Sequence, residues 1–270
     1  MKYCFRLSFC FLLVTAAAAF GQTTSPPPVM STSAGNYRAI VAPDSIVSSW
    51  GSNFAIATTV ANTSNPGSSL VVLPNALGGV SISVTDSASV RYTPGLFLVS
   101  PGQINYVLPA TVPVGRSTIT ITGPNGTQTG TMLVSNVAPS IFSADLSGSG
   151  APAAQILRAG ADGTFVFESP VAPGSAGFTP NPIDLRVSAN DKVFIFLYGT
   201  GIRRRSLNPV IATIGGISVP VQFAGAQSQY PGLDQINIGP VPATIAGLGT
   251  ADVVVTVDGV PANTVRLAFR

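Results

Sequence analysis

The stretch Ser100-Pro101-Gly102-Gln103-Ile104-Asn105-Tyr106-Val107-Leu108-Pro109 returns as Tyr230-Pro231-Gly232-Leu233-Asp234-Gln235-Ile236-Asn237-Ile238-Gly239-Pro240. A repeat this widely spaced means two copies of a domain rather than a solenoid of small units. Blocks around it keep their order. Lys192 to Gly201 answers Ser45 to Asn53, Ile214 to Val221 answers Leu77 to Val84, and Ala251 to Val257 answers Ser117 to Thr122. The repeat constrains the architecture and leaves the activity open.

Within each copy the apolar residues recur with a period of two. Val80, Ile82 and Val84 share one face of their segment, and Ile104, Tyr106 and Leu108 face away from Gln103, Asn105 and Val107. That alternation belongs to strands with one side on a core. No stripe at i, i+3, i+4, i+7 is sustained anywhere. Short strands about ten residues apart, punctuated by Gly and Pro, describe a β-sandwich. The expected fold is all-β: two tandem Ig-like β-sandwich domains over residues 39–137 and 187–270, joined by a packed, β-rich connecting segment over 138–186. In that segment Ala153 to Arg158 and Thr164 to Glu168 are predicted to pair around Gly160-Ala161-Asp162-Gly163. Ile141, Phe142, Ile156, Phe165 and Phe167 are expected to be buried there, and Trp50 is expected in a core strand. Residues 22–38, with Pro26-Pro27-Pro28, read as an extended lead-in.

Residues 1–21 read as a signal peptide. Lys2 and Arg6 give a positive start, Phe9 to Val14 a short apolar run, and Ala16 to Ala19 the small residues that precede cleavage. The run is shorter than the roughly 20 residues that span a bilayer, so no stable membrane insertion is expected after processing. Both cysteines, Cys4 and Cys10, lie in this segment, which leaves the mature chain without thiols or disulfides. Removing Lys2 and Arg6 leaves 11 basic against 10 acidic residues, a net charge of +1. Charged residues make up only 9% of the chain, against about 25% in ordinary globular proteins. Such a surface gives no footprint for nucleic acid.

Several blocks together resemble a known family. Val41-Ala42-Pro43, Gly78-Gly79-Val80, Ser100 to Asn105, Ala138-Pro139-Ser140-Ile141-Phe142, Asp162-Gly163-Thr164, Tyr198-Gly199-Thr200-Gly201 and Gln235-Ile236-Asn237 look like the Solibacter-type secreted C-terminal domain of Acidobacteria. That family is of unknown function. Its halves are similar to IPT/TIG (Ig-like) folds, which implies β-sandwiches, an extracellular place and no catalytic residues to carry over. No large enzymatic or propeller domain accompanies the module here, so it is expected to act alone or with a partner.

The residue inventory argues in the same direction. Histidine is absent, which removes the commonest general base and metal ligand. Lys192 beside Asp191 has no S-x-x-K spacing to make a Ser-Lys dyad. The acidic residues are isolated in sequence and sit in turn contexts where Asp caps backbone amides. Asp145 with Ser147 and Asp162 is the nearest thing to a calcium donor set, and no D-x-D-x-D-G loop supports it. No catalytic, cofactor-binding or metal residue is assigned. Arg203, Arg204 and Arg205 are the candidate contacts for a ligand or partner, and the Ala138 to Arg186 segment and the loops around Asn62 to Gly67, present once each, are the other places where specificity is expected. Gln103, Asn105, Gln235 and Asn237 form a repeated polar signature read as structural. The expected function is a secreted, monomeric, non-enzymatic module for adhesion, surface assembly or protein interaction. Its alternative is a carbohydrate-binding module for cell-wall or environmental polysaccharide, with a hydrolase as the distant third.

Overall fold

The computed structural model describes residues 28–63, 71–174, 177–186 and 190–270. The segment read as a signal peptide, and most of the Asn62 to Gly67 loop, lie outside them. The described chain is all-β, and its one helical element is a single 3-10 turn at Ala243–Ile245. Among the described residues no helix is long and apolar enough to cross a membrane.

The first half contributes β1 (Val29–Ser33), β2 (Ile46–Trp50), β3 (Val80–Thr85), β4 (Gly95–Val99), β5 (Gln103–Val107), β6 (Gly115–Gly123) and β7 (Gly126–Val134). They pair in the order β4-β5-β2-β1-β7-β6-β3. β1 runs antiparallel to β2 and parallel to β7, so it turns one continuous ladder into two layers. This is the Ig arrangement in which strands A, B, E and D face C, F and G. Val47, Leu96, Ile104 and Tyr106 of one layer meet Ile82, Val84, Ile119 and Ile121 of the other.

β1 corrects the reading of residues 22–38 as a lead-in, since Val29–Ser33 is built into the sandwich. Its sequence, Val-Met-Ser-Thr-Ser, carries no apolar alternation and so gives no strand signal. Hydroxyls hold it instead: Ser31 Oγ lies 2.8 Å from Ser49 Oγ, and Thr32 Oγ1 donates to the Ser48 carbonyl at 3.3 Å. Satisfied in this way, buried hydroxyls cost little.

Tyr106 ends in that polar patch, accepting from Ser49 Oγ at 3.3 Å. Burial pushes its hydroxyl up to about 12, against the opposing hydrogen bonds of Ser49 and Ser31. A folded pKa above the unfolded value of 10 contributes stability that is complete below pH 10 and lost as pH rises through 12. Two units correspond to about 3 kcal/mol. The expected result is a steep alkaline limb in chemical denaturation between pH 10 and 12. In Tyr106→Phe that limb becomes shallower, while the profile below pH 9 keeps its shape.

The second half contributes β8 (Ser140–Ile141), β9 (Ala154–Ala159), β10 (Phe165–Glu168), β11 (Lys192–Thr200), β12 (Ile211–Ile214), β13 (Ile217–Val219), β14 (Val221–Ala226), β15 (Asp234–Ile238), β16 (Gly249–Val257) and β17 (Val265–Phe269). One sheet runs β10-β9-β11-β15-β14 with β8 also against β11, and the other runs β13-β12-β16-β17. Ile156, Ile195, Leu197, Ile236 and Ile238 close on Ile214, Val253, Val255 and Leu267. Ile183 bridges Phe269 in parallel, as Ile40 and Val41 do beside Leu133 and Val134 in the first half. The segment 138–186 is therefore not separate from the second half: β8, β9 and β10 extend its sheet.

One apparent correspondence between the copies does not hold. In the first half the strand after Gly78-Gly79, β3, pairs with β6, whereas in the second the strand before Gly215-Gly216, β12, pairs with β16. The two Gly-Gly turns are alike only locally. Both need positive φ at each glycine, 56° and 78° in one and 57° and 81° in the other, which is what a two-residue hairpin turn demands.

Candidate functional site: an aromatic sheet face

Alternation along β11 decides what the second half shows to its surroundings. Val193, Ile195 and Leu197 are buried in the core, so Phe194, Phe196 and Tyr198 stand on the other face. Pairing then places the neighbours. Phe196 lies between Gln155 of β9 and Asn237 of β15, and Phe223 of β14 lies beyond Asn237. Phe194 lies opposite Leu157, which lies opposite Phe167 of the edge strand β10. The face thus carries Phe165, Phe167, Phe194, Phe196 and Phe223, with Gln155, Gln235 and Asn237 among them. At about 4.8 Å per strand, five strands give it a width of roughly 19 Å.

Three of these rings are open to solvent: Phe165 is 68% exposed, Phe167 59% and Phe223 44%. Phe167 packs against Phe196 with ring centroids 6.2 Å apart. Tyr198 donates its hydroxyl to Gln155 Oε1 at 2.8 Å, and Gln235 Nε2 donates to Asn237 Oδ1 at 2.7 Å. Neighbouring amides and rings thereby hold one another in place on the strands. The alternation puts one formal charge on the face, Lys192 at the end of β11.

The exposure of Phe165 and Phe167 overturns the expectation that they are buried. β10 is the outermost strand, and Ile156, Ile195 and Ile236 already fill the core side. The sequence did hold a signal. Beyond residues 1–21, Phe-x-Phe occurs at 165/167 and 194/196, more large aromatics than a sheet with Ile156, Ile195 and Leu197 already on its core side can bury.

The first half has the same face in a closed form. Trp50 lies opposite Gln103 and Ser48 opposite Asn105, as Tyr198 lies opposite Gln235 and Phe196 opposite Asn237. Gln103 Nε2 donates to Asn105 Oδ1 at 2.9 Å, and Ser48 Oγ donates to the same oxygen at 2.8 Å. Ser48, Asn105 and Val107 are buried. Trp50 is not in the core, contrary to expectation: Val47 and Ser49 take the inward positions, and Trp50 is half-buried on the other face. Its Nε1 donates to Thr32 Oγ1 at 3.1 Å, and its ring meets Tyr37 edge-on at 6.0 Å.

The two faces meet where Ile46, Phe97 and Val107 pack against Phe142, Tyr198 and Leu233. Polar groups pin this junction. The Ile46 N–H donates to Thr200 Oγ1 at 2.8 Å, Thr200 Oγ1 donates to the Gly232 carbonyl at 2.7 Å, and the Ser33 and Ser140 hydroxyls lie 2.8 Å apart. The repeated Pro-Gly stretch of the second copy therefore seals the joint between halves.

Two of the three arginines are engaged within the chain. Arg203 Nε donates to Asp234 Oδ1 at 2.6 Å, and the Ile202 N–H donates to Asp234 Oδ2 at 2.7 Å. Burial pushes the Asp234 carboxyl up from its ordinary range, while the Arg203 guanidinium and these N–H groups pull it back. Arg205 donates to the carbonyls of Ala224, Ser206 and Asn208. Of the three, Arg204 alone is exposed. A loop that must turn away from a sheet end has carbonyls to satisfy, and two of its cations are spent there.

Asp145 Oδ1 accepts from Ser147 Oγ at 2.7 Å and Asp162 Oδ1 from Thr164 Oγ1 at 2.7 Å, two separate turn caps. Among the described residues no three Asp, Glu, His or Cys side chains are grouped to hold a metal ion. Lys192 is exposed at the start of β11. A shallow groove of about 660 Å³ lies over β12, β16 and β17, lined by Thr213, Leu248, Thr250, Asp252 and Arg266. It contains no aromatic ring, and Arg266 Nε pairs with Asp252 Oδ1 at 2.8 Å.

No family model matches the chain, and no curated protein matches it. Among solved structures it is similar to SGBP-B of the Bacteroides ovatus mixed-linkage glucan utilization locus, in complex with a mixed-linkage heptasaccharide. That likeness has 12% identity, a TM-score of 0.33, and coverage of 86% of this chain and 43% of the other. SGBP-B from a complex xyloglucan utilization locus of Bacteroides uniformis is 14% identical at a TM-score of 0.24, covering 91% of this chain and 49% of that one. The I9–I11 tandem of titin is 11% identical at a TM-score of 0.18, over 85% and 95%. The chain spans less than half the length of the two SGBP-B chains, and scores this low give the likenesses no weight in assigning a ligand.

Proposed function

We propose that this chain is a secreted, non-catalytic module that binds neutral polysaccharide across the aromatic face of its second half. The observation that carries the reading is one sheet face with exposed phenylalanines on β10 and β14, half-buried Phe194 and Phe196 on β11 between them, and amide side chains among the rings. Sugar rings present C–H faces that stack on aromatic rings, and their hydroxyls both donate and accept, as amides do. A face nearly free of charge suits an uncharged glycan. Exposed apolar patches also mark protein contacts, and the embedded Gln155, Gln235 and Asn237 favour sugar over an adhesion partner. Export rests on the sequence of residues 1–21, and kinship with the Solibacter-type domains on the blocks quoted above; both belong to this proposal.

The test is affinity electrophoresis of the purified chain in gels containing mixed-linkage glucan, xyloglucan, xylan or anionic polygalacturonate. Retardation by a neutral glycan is expected. Phe196→Ala should weaken it at least tenfold, about 1.4 kcal/mol, with the unfolding midpoint changed by only a few degrees because the ring is outside the core. Failure of every neutral glycan to retard the chain overturns the reading. Retardation by polygalacturonate alone, abolished by Arg204→Ala, overturns the assignment to this face.

A further inference from the structure

The edge strand β10 shows three consecutive apolar residues to solvent, Phe165, Val166 and Phe167, the middle one 50% exposed on the opposite side from its neighbours. A run of that kind is an error of folding economy unless something uses it. β10 pairs with β9 on one side only. Beyond its shortness and Glu168 it carries no further protection of a sheet edge: no Pro, no Lys and no bulge in its register. Its one charge, Glu168, is taken by Arg158 at 2.7 Å.

A second unsupported element leaves the end of this strand. Val171–Gly174 and Gly177–Pro180 form a two-stranded sheet that pairs with no other strand among the described residues. Every described residue of the pair except Val171 is exposed, Phe178 included at 50%. A lone hairpin is marginal in water and needs support from another surface.

We propose that β10 pairs antiparallel with β10 of a second copy of this chain about a two-fold axis, with the two hairpins packing against the partner. A free strand edge is self-complementary in the antiparallel sense: each outward N–H finds the carbonyl of the same segment reversed. The strand's charge is neutralised internally, and without residues 1–21 the chain carries a net charge of only +1, so little repels a copy. The pairing closes after two chains, which removes the edge. It also makes the aromatic faces of two copies continuous through Phe165 and Phe167. The proposal stands without the glycan reading, because it rests on the backbone edge and the unsupported hairpin.

Sedimentation equilibrium of the purified chain should give twice the chain mass, dissociating on dilution. Val166→Lys puts a charge on the edge, on the side away from the phenylalanine face, and should weaken self-association at least a hundredfold without changing the circular dichroism or glycan binding per chain. Phe196→Ala should do the reverse, weakening glycan binding and leaving the dimer. In the mature chain, free of other cysteines, Val166→Cys should cross-link to a dimer on mild oxidation far faster than Leu207→Cys, a fully exposed site elsewhere. A monomer at high concentration, open-ended oligomers, or a dimer indifferent to Val166→Lys would overturn the proposal.

Discussion

Arg203→Ala is expected to destabilise the protein by about 3–5 kcal/mol at pH 7, the usual cost of breaking a buried ion pair by removing one partner. The Asp234 side chain is fully buried and that of Arg203 is 16% exposed. The upward displacement of the Asp234 carboxyl says that attraction does not fully offset the desolvation of the charge. Without the guanidinium the remaining N–H donors must hold the anion alone. The carboxyl then rises further and takes up a proton more readily, so the cost shrinks as pH falls toward 4. Denaturant titration of wild type and variant at pH 7 and pH 4.5 checks the sign. A larger deficit at the lower pH would count against it. Replacing both partners, Arg203→Leu with Asp234→Leu, should recover much of the loss, because two apolar groups leave no charge uncompensated.

Gly232→Ala is the second large effect, about 2–4 kcal/mol. Gly232 sits at φ +75°, where a side chain costs about 1–2 kcal/mol. A methyl there would lie 2.7 Å from Ile46 Cγ1 and 3.2 Å from the Ile46 nitrogen across the junction, an overpacking worth about 1–3 kcal/mol. Its counterpart Gly102 has only the Gly51 carbonyl at 3.6 Å and no positive φ. Gly102→Ala should therefore fall within about 1 kcal/mol of wild type. Paired thermal melts decide the matter, and equal costs for the two glycines would refute the junction role assigned to Gly232.

Period-two alternation in Val80 to Val84 and Ile104 to Leu108 identifies strands because one face must be apolar, and the repeated Gln-x-Asn marks the strand that both copies share. What the repeat could not say is that its outward side is covered in one copy and open in the other. That depends on how two halves dock, and docking leaves no periodicity. β1 was invisible because hydroxyl pairing, not apolar burial, holds Ser31, Thr32 and Ser33. Three adjacent cations look like a surface patch until Asp234 and the Ala224 carbonyl are brought beside them by a turn.

The parallel pairing of first and last strands has a mechanical meaning. Val29 and Met30 lie beside Gly130 and Thr131, Ile40 and Val41 beside Leu133 and Val134, and Ile183 beside Phe269. In the first half, tension that draws the two ends apart runs along these strands, so their hydrogen bonds bear load together in shear instead of opening one after another like a zip. The first half would then keep its fold under forces that would unzip an antiparallel pair.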